Sequence, residues 1–279
     1  MTDPLENSKP AATASESSFA LVTGASSGIG ACFARALAQR GRNLVLVARS
    51  KDKLEELKNE IATQRSVRIE VVGQDLSEEG AAQRLAKTLA ERGIDVDLLV
   101  NNAGFGAQGR FWELPLDRQA EMLRLNIATL TEFTYLLLPA MIKRRAGGVI
   151  NVASTASFQP VPYSTVYAAT KAYVASFSMG LAEEVREYGI RVLAVCPGAT
   201  ATGFFRAGNF AKIDFLGGMQ SPEKVVEIGL HAYDRGSSVV ISGWLNRAMI
   251  FAERLASRRF AAVQAGKLFR PKSEVSGKE

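Results

Sequence analysis

Seven short apolar runs, most of them rich in branched side chains, punctuate the chain: Phe19–Thr23, Asn43–Ala48, Arg68–Val72, Val96–Asn101, Gly148–Ala153, Ile190–Cys196 and Ser238–Ser242. Their length and composition predict strands. Most are continuously apolar instead of alternating, which is the pattern of strands covered on both faces. Between them lie helix-periodic stretches at Ile29–Arg40, Lys51–Arg65, Glu78–Arg92, Arg118–Arg145, Ser164–Tyr188 and Pro222–Asp234.

This alternation predicts an α/β fold: a single Rossmann-like, doubly wound parallel sheet of about seven strands with helices on both faces. At about 150 residues per domain, the 279 residues would allow two domains. No low-complexity linker or repeat divides them, so one catalytic domain over 19–243 is expected. A flexible leader, 1–18, rich in Ser, Ala, Glu and Thr, precedes it, and a basic amphipathic C-terminal helix and tail, 244–279, follows.

The net charge of +6 does not mark a nucleic-acid face. Between Arg247 and Lys272 seven basic residues stand against one acid, Glu253, which accounts for the whole excess. The leader has no apolar core of a signal peptide. No apolar run approaches the ~18 residues that span a bilayer, and the longest, around Leu136 to Ile142, contains Pro139. Two cysteines, Cys32 and Cys196, are too few for a disulfide framework and suit a reducing, cytoplasmic setting.

The first strand runs into Gly24-Ala25-Ser26-Ser27-Gly28-Ile29-Gly30 and then a helix. Glycines in a strand–turn–helix let the backbone approach a pyrophosphate at the helix N-terminus. Gly24-Ala25-Ser26-Ser27-Gly28 also fits the nucleophile elbow of a serine hydrolase. That reading needs a histidine base, and the single histidine, His231, falls in a predicted amphipathic helix. One His and two distant Cys likewise leave a zinc-dependent dehydrogenase without ligands. The second strand ends in Ala48-Arg49-Ser50-Lys51, with no acid before Asp52. An acid there would hold the ribose hydroxyls of NAD, whereas Arg49, helped by Ser50 or Lys53, suits the 2′-phosphate of NADP.

Tyr167 and Lys171 stand four apart on a predicted helix and so share one face. An ammonium beside a phenol favours phenolate and is expected to lower the tyrosine pKa from about 10 toward the working range. That suits a group exchanging a proton with an alcohol oxygen. Ser154 follows the strand Gly148–Ala153 at its carboxyl end, where open α/β sheets bind ligands.

Thr23-Gly24-Ala25-Ser26-Ser27-Gly28-Ile29-Gly30, Asn101-Asn102-Ala103-Gly104, Asn126, Ser154, Tyr167/Lys171 and Pro197-Gly198 occur in the order and spacing of short-chain dehydrogenases/reductases. The resemblance covers about Phe19 to Ser242. It implies that Gly24, Ser26, Ser27, Gly28, Ile29 and Gly30 cradle the pyrophosphate and that Arg49 selects NADP. Asp75 and Leu76, in Gly73-Gln74-Asp75-Leu76, resemble the adenine contact, and Asn102, Ala103 and Gly104 the turn flanking the adenosine. Pro197, Gly198 and Thr202 resemble the nicotinamide side, with Thr202 on the carboxamide. Asn126 resembles the asparagine that supports Lys171 through water, completing a catalytic set of Asn126, Ser154, Tyr167 and Lys171. No metal is implied.

The resemblance implies hydride transfer between nicotinamide and a carbonyl carbon, with Ser154 and Tyr167 meeting the developing oxyanion and Tyr167 exchanging the proton. NADPH in a reducing compartment favours carbonyl reduction. The alternative is a non-catalytic NADP-binding regulatory or scaffold protein, which would need no such catalytic set. The segment Thr200–Ser221 carries Phe204, Phe205, Phe210, Phe215 and Leu216 among glycines, as suits a lid over an apolar substrate. Phe105, Phe111, Trp112, Phe158, Val161 and Tyr163 are expected on the opposite wall.

The chain lacks the Asp-Gly-Gly turn with which bacterial 3-oxoacyl-carrier-protein reductases end. Val239-Val240-Ile241-Ser242-Gly243-Trp244-Leu245 instead leads into a long basic helix, closer to the hydroxysteroid and long-chain 3-oxoacyl reductase branch. Leu245, Met249, Ala252, Ala256, Phe260 and Val263 recur there at helical spacing. They suit docking on the chain's own domain, a partner subunit or an anionic membrane surface. A homodimer or homotetramer is expected.

Overall fold

The computed structural model describes residues 18–208, 210, 218–253 and 257–271. All but the last residue of the expected leader, and residues 272–279 of the tail, lie outside that range. Seven parallel strands form one sheet: β1 (Ser18–Thr23), β2 (Asn43–Ala48), β3 (Ile69–Gly73), β4 (Asp95–Asn101), β5 (Gly148–Val152), β6 (Arg191–Cys196) and β7 (Val239–Ile241). Their spatial order is β3-β2-β1-β4-β5-β6-β7. The order reverses between β1 and β4, and ligands of doubly wound sheets bind in the crevice at that switch, beyond the carboxyl ends of the strands.

The continuous apolar runs are explained by burial on both faces. Along β1, Ala20 and Val22 point into one layer, with Leu44, Leu46, Leu98, Ile150 and Leu193 from neighbouring strands. Phe19 and Leu21 point into the other, with Val45, Val47, Leu99, Val149 and Val192. Successive strand side chains face opposite ways, so the two residue sets alternate along each strand.

The first layer is roofed by α1 (Gly28–Gln39), α2 (Lys51–Ala62) and α8 (Pro222–Asp234), where Phe33 is fully buried. The second is roofed by α3 (Ala81–Glu91), α5 (Leu130–Arg144) and part of α6 (Thr165–Glu184). Helix α8 starts where its sequence directs: Ser221 caps it by accepting from the Lys224 amide at 3.2 Å, and Pro222 takes the first turn.

The stretch expected as one helix over Arg118–Arg145 is α4 (Leu116–Leu123), a π-helical turn Arg124–Thr129, and α5. Contrary to the reading that nothing here is long enough to span a bilayer, 116–144 would pass by length and apolar composition alone. Its Met122, Leu130, Phe133 and Met141 are buried in this protein's own fold.

The C-terminal segment is also not one long helix. It forms α9 (Trp244–Glu253) and α10 (Arg258–Phe269), the latter capped by Ser257, which accepts from the Phe260 amide at 3.2 Å. Both fold back onto the domain. Ile250, Ala261 and Ala265 are buried. The Gln108 amide donates to the Phe269 carbonyl at 2.7 Å, and Arg270 donates to the Tyr163 hydroxyl at 3.2 Å. A short helix α7 (Phe204–Ala207) precedes α8 and lies beside them at the cleft.

Candidate active site

A cleft of about 590 Å³ opens over the carboxyl ends of the strands, well within the range of small-molecule sites. Its first wall is the turn between β1 and α1. Gly24 and Gly28 hold positive φ, +63° and +54°, which favours glycine. A Cβ on Gly24 would stand 2.8 Å from Asn102 Nδ2, and one on Gly28 would stand 3.0 Å from Thr202 Cγ2. The turn is tied to the end of β4. The Asn102 side chain donates to the Thr23 and Gly24 carbonyls (2.9 and 3.2 Å), while Thr23 Oγ1 accepts from the Asn102 and Ala103 amides, both at 3.0 Å. Ser27, the N-cap of α1, makes no side-chain cap bond, so the first amides of that helix keep their capacity to bind an anion. This cradle fits a dinucleotide: Cβ-free turns, helix amides for a pyrophosphate, and Arg49, Asp75 and Leu76 farther along the same cleft.

Of the residues singled out for the cofactor, Gly24, Ser26, Ser27, Gly28, Ile29, Arg49, Asp75, Leu76, Asn102, Ala103, Gly104, Pro197, Gly198 and Thr202 all line the cleft. Gly30 does not. It lies beneath the turn, where a Cβ would fall 2.3 Å from the Gly24 carbonyl oxygen, so its part is to let α1 pack against the turn. Arg49 leaves β2 with its side chain largely exposed and stands 3.8 Å from the Asp75 carboxylate. Burial works to raise the Asp75 carboxyl, but hydrogen bonds from Ser77 and the Arg49 charge outweigh it and hold the group below the usual carboxylate range.

Ser154, Tyr167 and Lys171 meet on the opposite wall. Ser154 lies two residues past β5 and caps a short 3-10 turn, accepting from the Ala156 amide at 3.1 Å. Tyr167 lines the same cleft. The start of α6 is fixed by Ser164, whose hydroxyl donates to the Ala107 carbonyl at 3.0 Å. Just before it Tyr163 holds a left-handed φ of 64°, rare for a side chain this large.

One turn beyond Tyr167, Lys171 is buried and donates to the Val152 carbonyl at 2.7 Å, with its ammonium 5.8 Å from the Tyr167 ring centre. Desolvation lowers the Lys171 amine to about 8, while the nearby Cys196 opposes the shift. The expected lowering of the tyrosine pKa is not what this arrangement produces. Desolvation pushes the Tyr167 phenol up to about 12, moderated only by Ser154. Lys171 directs its protons at Val152, and burial governs the phenol.

Asn126 is 1% exposed and does not reach the cleft surface. Its side chain accepts from the Phe105 amide (3.2 Å) and donates to the Phe105 carbonyl and Thr170 Oγ1, both at 3.0 Å. It therefore pins the loop after β4 to α6, from within the π-helical turn. His231 is exposed on α8 and does not line the cleft that holds Ser26, so it is not placed as the base of a nucleophile elbow.

The cleft beside Tyr167 is apolar. Phe204, Phe205 and Phe210 pack together at ring-centre separations of 5.4 to 5.6 Å, and Phe204 lies 5.3 Å from Tyr167. Phe105 and Val161 line the facing wall as expected. Phe111 and Trp112 are exposed to solvent, Phe158 packs beside the core, and Tyr163 is engaged by Arg270. Phe215 and Leu216 lie outside the described residues. Sequence reading missed the contribution of the C-terminal segment: Asn246, Met249, Ile250, Glu253, Leu268 and Phe269 all reach the cleft. Their helical spacing announced a docked face but not the surface it meets.

A profile of the short chain dehydrogenase family matches residues 18–211. The rat very-long-chain 3-oxoacyl-CoA reductase is 37% identical over 199 residues, 70% of this chain and 61% of that protein. The matched stretch thus spans about three fifths of the length of that relative. A short-chain dehydrogenase from Sphingobium yanoikuyae in complex with NADPH superposes with a TM-score of 0.77 at 30% identity, covering 93% of this chain and 98% of the other. The bulky-bulky ketone specific alcohol dehydrogenase from Comamonas testosteroni does so at 0.74 and 30%, covering 93% and 97%.

Proposed function

Because the chain belongs to the short-chain dehydrogenase family, we propose that it is an NADPH-dependent reductase of bulky apolar carbonyl compounds, with Tyr167 as its acid/base. The observation that carries this reading is the convergence of Ser154, just past the carboxyl end of β5, with Tyr167 and Lys171, one turn apart on α6, in the same cleft as the glycine turn.

When bound, a nicotinamide dinucleotide supplies the hydride. The remaining work falls to the chain. Gly24, Gly28 and the free end of α1 hold the pyrophosphate, and Arg49 takes the 2′-phosphate. As negative charge grows on the substrate oxygen, Ser154 and Tyr167 meet it with hydrogen bonds already oriented for that position. Tyr167 gives up its phenolic proton, which burial keeps in place through neutral pH. Lys171, adjacent and readily charged near pH 8, stabilises the phenolate left behind. The Phe204, Phe205 and Phe210 cluster excludes water from the reacting end.

The substrate class follows from that cluster and from α9 and α10. These make an apolar wall suited to a bulky ketone or 3-oxoacyl chain, in keeping with the names of the rat and Comamonas proteins. We propose a cytoplasmic location, and we propose that copies pair through α5 and α6. There Tyr135 is 77% exposed, Tyr173 and Met179 are partly so, and Tyr173 stacks on Phe177.

The experiment is NADPH oxidation against a panel of ketones, 3-oxoacyl thioesters, steroids and aldehydes, with Tyr167→Phe as control. Turnover that vanishes in the variant supports the reading. Tight NADPH binding without turnover on any substrate would replace it with a regulatory NADP-binding protein.

A further inference from the structure

The terminal helices leave large apolar side chains in solvent. α10 turns the small Ala261 and Ala265 inward and sets Gly266 against Pro162, while Phe260 and Val263 are 57% and 50% exposed. On α9 Ile250 is buried, yet Trp244 and Phe251 are 79% and 66% exposed. A helix that had only to cover its own domain in water would turn its aromatic residues inward.

The exposed residues are aligned. Trp244, Arg247, Ala248 and Phe251 follow one another at i, i+3, i+4 and i+7 and so share one face of α9. Phe260, Val263 and Lys267, at i, i+3 and i+7, share one face of α10. The charge on this surface has one sign. Arg247, Arg258, Arg259 and Lys267 are exposed and join no ion pair among the described residues. Glu253, the one acid between 244 and 271, stands two and a half turns on from Trp244 and hence on the opposite side of α9.

We infer that the outer face of α9 and α10 docks on an anionic lipid surface, with Trp244, Phe251, Phe260 and Val263 entering the headgroup region and Arg247, Arg258, Arg259 and Lys267 meeting lipid phosphates. Tryptophan settles at that depth, and basic residues interleaved with apolar ones add attraction to anionic headgroups. A second copy of the chain fits this face poorly. A two-fold contact sets a surface against itself, which here brings cation to cation with no acid to answer. A peptide groove is not the geometry either, since side chains as exposed as Trp244 project from a surface instead of lining a cleft. Such docking requires no turnover and stands apart from the reductase reading.

The test is cosedimentation of the full chain with vesicles of phosphatidylcholine, alone or mixed with phosphatidylglycerol, at low and high salt. Wild type should bind the anionic vesicles at least about tenfold more tightly than phosphatidylcholine alone and should be released by salt. Arg247→Gln with Lys267→Gln should weaken binding about 30-fold, roughly fivefold for each charge removed. Trp244→Ser with Phe251→Ser should weaken it at least about tenfold, with the melting temperature at its wild-type value. In Trp112→Phe the one tryptophan left is Trp244, and its emission should move to shorter wavelengths on anionic vesicles.

No binding to anionic vesicles, equal binding to both compositions, or binding that survives either pair of changes undiminished would overturn the inference. So would light scattering in which Trp244→Ser with Phe251→Ser turns an oligomer into monomers, because the face would then join copies of the chain. Should the serine pair unfold the protein, the glutamine pair and the Trp244 emission decide by themselves.

Discussion

The Arg49 guanidinium stands 3.8 Å from the Asp75 carboxylate, a link between the ends of β2 and β3 at one rim of the cleft. Asp75 is further held by Ser77, which donates to it from both its amide and its hydroxyl (2.9 and 2.6 Å). Arg49 is thus oriented by a partner that is itself fixed, yet exposed enough to engage a phosphate. Arg49→Ala should weaken NADPH binding by roughly 10- to 100-fold, the scale of hydrogen bonds to a charged group, and leave NADH nearly unchanged. Fluorescence titration with both nucleotides checks this, and an equal loss for both would deny Arg49 its selecting role.

Tyr167→Phe should lower turnover by about 10²- to 10⁴-fold, the usual contribution of a positioned proton donor, with NADPH affinity retained. With the phenol pushed up to about 12 and the Lys171 amine lowered to about 8, the acid form of Tyr167 persists across neutrality. The alkaline limb of the reduction profile should then follow Lys171, near pH 8. A limb that survives unchanged in Lys171→Met would assign it elsewhere.

Lys171 also makes a stability prediction. Its folded pKa lies below the unfolded one, so between about pH 8 and the unfolded value of 10.5 the unfolded chain binds more protons. Its contribution therefore becomes more favourable as pH rises through that window, and below pH 8 the native state bears the full cost of the buried charge. Lys171→Met should be most stabilised relative to wild type near pH 7 and should lose that advantage toward pH 10. Denaturant titrations at three pH values give the slope, and the opposite sign would show that Lys171 is better solvated than its burial indicates.

Two glycine-to-alanine changes separate packing from propensity. Both positions are helical, but a Cβ at Gly30 collides with the Gly24 carbonyl and Asn102, whereas Gly180 on α6 has nothing within 4 Å. Gly30→Ala should cost roughly 1–3 kcal/mol and weaken NADPH binding. Gly180→Ala should stabilise by up to about 1 kcal/mol. Thermal melts with and without nucleotide decide, and indifference to Gly30→Ala would show that the turn can yield.

Removal of the chain beyond residue 257 should raise KM for apolar ketones several-fold and leave NADPH affinity intact, since α10 walls only the substrate end. If the two parameters moved together, the truncation would be acting on the fold as a whole.

The strands were legible because burial on both faces leaves an uninterrupted apolar record, and the nucleotide turn because only glycine fits Gly24 and Gly28. Ser154, Tyr167 and Lys171 could be named from spacing, since strand ends and helix faces obey fixed periods. Spacing could not convey competition. Lys171 has a nearer acceptor in Val152, so the phenol answers to desolvation, and Asn126 spends its amide on Phe105 and Thr170. Nor could spacing reveal where the C-terminal helices land, because an amphipathic face specifies that it must be covered but not by what. The buried set Asn101, Thr134, Asn151 and Ser178, bonded from β4 and β5 to α5 and α6, was invisible for the same reason.

The docking of α9 and α10 divides the molecule's labour along its length. The groups proposed to react sit on strand ends and on a helix anchored in the sheet, and changes there would disturb chemistry and folding at once. Much of the proposed substrate wall sits on these two helices, which are joined to the domain by bonds that include Gln108 to Phe269 and Arg270 to Tyr163. A graft of a different terminal segment onto residues 18–243 would therefore exchange one substrate range for another while leaving the proton donor, its serine and the nucleotide cradle untouched.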